Sequence, residues 1–125
     1  MNARLVDYLY VFATIVLTVY GQLILKWRLA AFGEMPAGSW EKLRFLLGLL
    51  LDPAIFSGFA AAFIASLTWM AALTRLELSH AYPFMSLNFA IVLLLSGWLL
   101  SEPITSPKVV GVILIVAGTA IGARG

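Results

Sequence analysis

The sequence predicts an all-α integral membrane protein with four transmembrane helices, and three observations carry that reading. The first is composition: of 125 residues, 62% are hydrophobic and 11% charged, against roughly 45–50% and about 25% in a soluble domain. A chain this short is one domain, read as spanning 1–125, whose surface stays large relative to its volume. So much apolar surface cannot all be hidden in one core, and the remainder must face lipid. The second is length: residues 8–25, 53–74, 81–101 and 109–123 carry no charge, and a helix needs about 20 apolar residues to cross the hydrocarbon. The third is punctuation, with Gly33, Pro36 and Gly38 in the one extended loop and a five-residue connection at 76–80 that permits only a tight turn between antiparallel neighbours.

The first span is expected near 8–30; it lacks a small-x-small cleavage site behind a short apolar core, so it reads as a retained helix. Over residues 39–51, Glu41, Arg44, Gly48 and Asp52 recur at helical spacing while Trp40, Leu43, Leu46, Leu47 and Leu50 fill the rest of the circumference. That pattern suits a helix lying in the membrane interface, with Ser39 as its N-cap. The alternative is a long second span that begins near Phe45. Otherwise the second span runs near 53–75, started by Asp52-Pro53. The third is expected near 80–100. The fourth, near 107–123, has Pro107 in its first turn, reaches about 26 Å, and lets Lys108 and Arg124 snorkel to the two surfaces.

Charge and special residues exclude several function classes. Cysteine is absent and His80 is the single histidine, so the chain carries no signature of a metal site, a thiol nucleophile or a bound cofactor. Eight basic and six acidic residues give a net charge of +2, which is no sign of nucleic-acid binding. Arg4, Arg75 and Arg124 oppose Lys26, Arg28, Lys42, Arg44 and Lys108 across the bilayer, so the positive-inside count narrowly favours an outside N-terminus.

Polar residues within the spans are costly in lipid and each needs a reason. Thr14, Thr18, Gln22 and Lys26 succeed one another at four-residue intervals, which places them along one stripe of the first helix. They form either a ligand-facing stripe or a set of back-bonded threonines, a helix-gluing glutamine and a snorkelling lysine. In the third span Ser79, Tyr82 and Ser86 share a face, whereas Asn88 lies roughly opposite. His80 reads as an interfacial hydrogen-bonding residue ahead of a proton relay. Tyr8, Tyr10, Trp27, Trp40 and Trp98 fit aromatic belts. Gly111, Gly118 and Gly122 allow close approach of another helix, in a partner subunit or within the monomer. Asp52, Glu77 and Glu102 all fall at span ends, so the intramembrane acid that a proton-coupled cation exporter needs is missing.

The run Leu78-Ser-His-Ala-Tyr-Pro-Phe-Met-Ser-Leu-Asn-Phe89, then Glu102-Pro103, Gly111 and Gly118, resembles the four-span branch of the drug/metabolite transporter superfamily. Gly21-Gln22-Leu23 with Lys26 is similar to the first-helix pattern of its aminoarabinose-phosphoundecaprenol flippase subunits (ArnE/ArnF). The resemblance implies an EamA/small multidrug resistance-like fold and a transporter without enzyme activity in the bacterial inner membrane. Its cargo is then a polyisoprenyl (undecaprenyl) phosphate-linked sugar, moved from the cytoplasmic to the periplasmic leaflet. Such a cargo needs a cation for its phosphate, supplied by Lys26 with Arg28, and hydrogen-bonding groups for its sugar, supplied by Thr18, Gln22, His80, Tyr82, Ser86 and Asn88. Gly111, Gly118 and Gly122 then serve a homodimer or a heterodimer with a related four-span subunit. The more distant small multidrug resistance proteins place an essential glutamate where this chain has Thr18, so their drug-antiport mechanism is not implied. Two other readings stay open: a small-metabolite or cation exporter of the same superfamily, and a non-transporting scaffold for a glycosyltransferase.

Overall fold

The computed structural model describes residues 3–125, with side chains from Leu5 onward; Arg4, counted above for orientation, lies outside the described side chains. The described residues form six helices and no strand: α1 (Ala3–Leu29), α2 (Ser39–Leu49), α3 (Pro53–Leu73), α4 (Leu78–Met85), α5 (Leu87–Leu99) and α6 (Ser106–Gly122). α1, α3 and the α4–α5 pair are each long and apolar enough to cross a membrane, and α6 is a shorter apolar helix of 17 residues. The four expected spans are therefore present. α1 begins earlier than expected because the helix runs on through Asp7, which a reading of uncharged runs takes as a boundary.

α2 is a helix of its own. Turns at Leu50, Leu51 and Asp52 bond back to Leu47, Gly48 and Leu49 and end it before α3 begins, which removes the alternative of one long span from Phe45. Its N-cap is Gly38 with no side-chain capping bond, so Ser39 is the first helical residue and not the cap. Trp40, Leu43, Leu46 and Leu47 remain exposed, as an interface helix requires. At α3 the start signal works as written: the Asp52 side chain accepts from the Ile55 N–H, and Pro53 occupies the first turn, where its missing N–H costs nothing.

α1 and α3 are the principal helix pair, running antiparallel. Their closest approach is at Gly21 and Gly58, both buried: a Cβ on Gly21 would stand 3.2 Å from the Gly58 carbonyl oxygen, and one on Gly58 2.9 Å from Ile24 Cγ2. Gly58, Ala61, Ala65 and Ala72 bury one narrow face of α3. Between apolar helices in lipid, such small residues substitute close packing for the hydrophobic force available in water. Hydroxyl pairs add to it, Tyr20 with Ser57 at 2.8 Å and Thr14 with Thr68 at 2.7 Å. On the other side of α1, Val11, Ile15 and Val19 form a core with Phe84, Met85, Ile91, Val92 and Leu95 of the third span.

The third span is broken, which the sequence reading did not anticipate. Pro83 lies inside α4 and has no N–H for the carbonyl four residues back. The chain passes Ser86 in a tighter turn, with Ser86 N–H bonding Pro83 O at 3.1 Å and Phe89 N–H bonding Ser86 O at 3.1 Å. The Thr119 hydroxyl of α6 also reaches Pro83 O, at 3.0 Å, while sharing its proton with Ile115 O. A neighbouring helix thus helps satisfy irregular backbone at membrane depth. α6 packs on α4 and α5 and leaves Val110, Ile113, Leu114 and Ile121 exposed.

Gly58→Leu forces a side chain into the α1–α3 approach and is expected to cost about 1–3 kcal/mol, read as a lower melting temperature in detergent. Gly48→Ala, whose methyl meets nothing within 4 Å, is expected to melt at or above the wild-type temperature. A Gly58→Leu protein that melts with wild type would remove the glycine contact as the determinant of this pair.

A candidate ligand groove

A cleft of about 540 Å³ lies between α1, α3 and the α4–α5 break. Its floor is buried and small-sided, made by Thr14, Gly21, Gly58 and Ala65, while Gln22, Phe59, Ser66 and Tyr82 stand exposed at its rim. Gly21 and Gly58 bring the backbones of α1 and α3 together at that floor. Thr14, Thr18 and Gln22 reach the cleft from successive turns of α1, and Ser66 and Trp69 from one face of α3. Tyr82, Ser86 and Asn88 come from the broken span. Trp69 and Tyr82 meet edge to face, with ring centroids 6.2 Å apart. Asn88 Oδ1 is buried and has no hydrogen-bond partner. No Lys, Arg, Asp, Glu or His lines the cleft.

Five of the residues singled out in the sequence therefore share this groove: Thr18, Gln22, Tyr82, Ser86 and Asn88. Asn88 joins Tyr82 and Ser86 in the cleft instead of lying away from it, with the tight turn at Ser86 between them. Thr14 combines both readings of its stripe, bonding back to Tyr10 O at 2.8 Å while lining the cleft. His80 lies outside, half-buried, in a 2.7 Å hydrogen bond with the Tyr8 hydroxyl and edge to face with Phe84. Lys26 is exposed, one turn beyond Gln22 on α1, and makes no ion pair with the described residues. Arg28 Nε–H donates to both Asp52 oxygens, at 2.9 and 3.1 Å, and its guanidinium lies over the Phe32 ring at 5.4 Å. Gly122 faces Pro83 within the monomer, whereas a Cβ on Gly111 or Gly118 would meet open space.

Sequence reasoning missed Ser66 and Trp69 of α3 and the Thr119 link. Their signal is weak: a three-residue spacing between a serine and an aromatic in one span, and a threonine beside a more conspicuous GxxxG. Asp7 was read only as a boundary, yet it is buried on α1 with Arg75 Nε 4.0 Å away.

A multi-pass helical bundle with a polar cleft between its spans defines a membrane transporter. Residues 3–123 match the EamA-like transporter family, and the chain belongs to that family. It is 36% identical over 119 residues, 88% of each chain, to a protein of Erwinia tasmaniensis named "Probable 4-amino-4-deoxy-L-arabinose-phosphoundecaprenol flippase subunit ArnF". Proteins named as the corresponding ArnE subunits are 32% identical in Pseudomonas aeruginosa, over 90% of this chain and 92% of theirs, and 31% identical in Aeromonas hydrophila, over 92% and 95%. No solved structure matches the chain. The resemblance drawn from the first and third spans is borne out at the level of family and relatives.

Burial pushes the Asp52 carboxyl up, but the Ile55 N–H and the Arg28 guanidinium outweigh it and hold the group below the usual carboxylate range. A carboxyl whose pKa is lower folded than unfolded stabilises fully above the unfolded value and loses that contribution as pH falls through the folded one. The thermal-stability advantage of wild type over Asp52→Asn is therefore expected to hold at neutral pH and to shrink once pH falls below about 4. An advantage that stays constant through the acid range would show that the carboxylate charge contributes nothing to the α1–α3 end contact.

Proposed function

We propose that this protein is a subunit of a flippase that moves a polyisoprenyl phosphate-linked sugar, such as aminoarabinose, across the bacterial inner membrane. The observation that carries the reading is an uncharged cleft that presents hydroxyls and amides, with Lys26 exposed one helical turn past Gln22 of its lining. A lipid-linked cargo keeps its tail in the bilayer, so only phosphate and sugar need a path. Gln22, Tyr82, Ser86 and Asn88, with Thr18, suit the sugar; Lys26 suits the phosphate through charge-assisted hydrogen bonds. Arg28 is already held by Asp52 and contributes to phosphate binding only if that pair opens. His80 is held by Tyr8 and supports the fold of the span entrance. The names of the relatives agree with this cargo, and no carboxylate in the groove offers the exchange site of a cation antiporter.

A subunit of this kind works beside another four-span chain, a second copy or a related subunit. Gly111 and Gly118 on the exposed face of α6 are the proposed contact; Gly122 belongs to the monomer's own packing against Pro83.

Two measurements test these assignments. Lys26→Gln is expected to weaken binding of a short-chain isoprenyl phosphate markedly, Lys26→Arg to retain part of it, and Gln22→Leu to have a milder effect, because it removes hydrogen bonds and no charge. Wild-type binding by Lys26→Gln makes Lys26 an interfacial anchor. Gly118→Leu is expected to shift the purified protein toward monomer with unchanged helicity by circular dichroism; an unchanged oligomer moves the contact off α6.

A further inference from the structure

Among the described residues, the buried side-chain polar atoms within the spans otherwise have hydrogen-bond partners. The hydroxyls of Thr14, Ser57, Ser66, Thr68, Ser96 and Thr119 all reach backbone carbonyls or one another. Asn88 Oδ1 is the exception: it is buried, it accepts nothing, and its residue lines the cleft. Buried polar atoms without partners are rare in folded proteins and call for an explanation. An amide oxygen can only accept, so the missing partner is a donor.

We infer that Asn88 is the specificity-determining acceptor of the groove: its Oδ1 takes a hydrogen bond from a hydroxyl or ammonium of a sugar headgroup, so the cleft admits the sugar and leaves the phosphate outside. The inference rests on the flippase reading and divides the headgroup between two places. A phosphate brings negative charge, and no Lys or Arg in the lining compensates its burial. Lys26, one turn past Gln22 and outside the cleft, is where that charge can be met. The wall opposite the charge is also suited to a sugar. Trp69 and Tyr82 present an edge-to-face aromatic pair beside Ser86, and an amino substituent gains from an aromatic face as a hydroxyl gains from the amide. At about 540 Å³ the cleft lies in the range of small-molecule sites, about 300–1,000 Å³.

The test uses the full chain in detergent with two probes: an octyl glycoside of an aminopentose, which has no phosphate, and farnesyl phosphate, which has no sugar. Asn88→Leu is expected to lower glycoside affinity about tenfold, the scale of one lost hydrogen bond. Asn88→Asp, which keeps an acceptor at the same position, is expected to restore most of it, and farnesyl phosphate is expected to bind all three proteins alike. A glycoside with its amine acetylated and its hydroxyls methylated removes the donors from the ligand instead. It is expected to bind wild type about tenfold more weakly than the parent glycoside does, which keeps the test decisive should Asn88→Leu fail to fold. Glycoside binding that ignores both the variant and the lost donors, while farnesyl phosphate still binds, overturns the acceptor role and leaves the flippase reading standing. Asn88-dependent glycoside binding without farnesyl phosphate binding keeps the acceptor and overturns the lipid-phosphate cargo. Equal loss of both probes in Asn88→Leu makes Asn88 a structural residue, and binding of neither probe to wild type overturns both readings.

Discussion

The approach of α1 to α3 at Gly21 and Gly58 is the constraint on which the rest of the molecule depends. Lipid tails are as apolar as leucine, so two helices gain little by hiding apolar side chains from them and must instead bring backbones together. Two glycines facing each other provide that contact, and the alanines of α3 extend it toward the other end of the pair. The ends are then finished by charges of opposite sign, Arg28 with Asp52 at one and Arg75 near Asp7 at the other. With α1 held along its length, its threonines and Gln22 stand beside Ser66 and Trp69. The same close approach forms part of the groove floor.

The second determinant is a defect. A proline within a span leaves a carbonyl without its helical donor, and in lipid no water repairs the loss. Beyond the proline the chain takes a tight turn at Ser86, and the Thr119 hydroxyl of the last helix donates to the Pro83 carbonyl. Asn88, just past that turn, lines the same cleft as Tyr82 and Ser86. Irregular backbone at membrane depth occurs here where it borders a polar cavity.

Span number, span order and the separate helix before the second span were legible because each has a local cause: an uncharged run, Asp52-Pro53, or an alternation of charged and apolar residues. The polar residues of the groove were also legible as types, since each is conspicuous in an apolar span. Their arrangement was not. Placing Asn88 opposite Ser86 assumed a helix that advances by the same angle at every residue, and Pro83 breaks that assumption. Partners were equally invisible: Arg28 and His80 look available in the sequence, but Asp52 and Tyr8, distant along the chain, occupy them. Ser66 and Trp69 gained their place only from the antiparallel register of α3 against α1, which no local pattern reports.

The neutral lining of the groove bears on how such a protein can use an ion gradient. No side chain in the cleft changes charge between pH 5 and 8, so the empty site presents the same electrostatic face to either aqueous compartment. Loading then carries no proton linkage of the protein's own. A difference in acidity across the membrane can then act on the cleft through the protonation of the cargo.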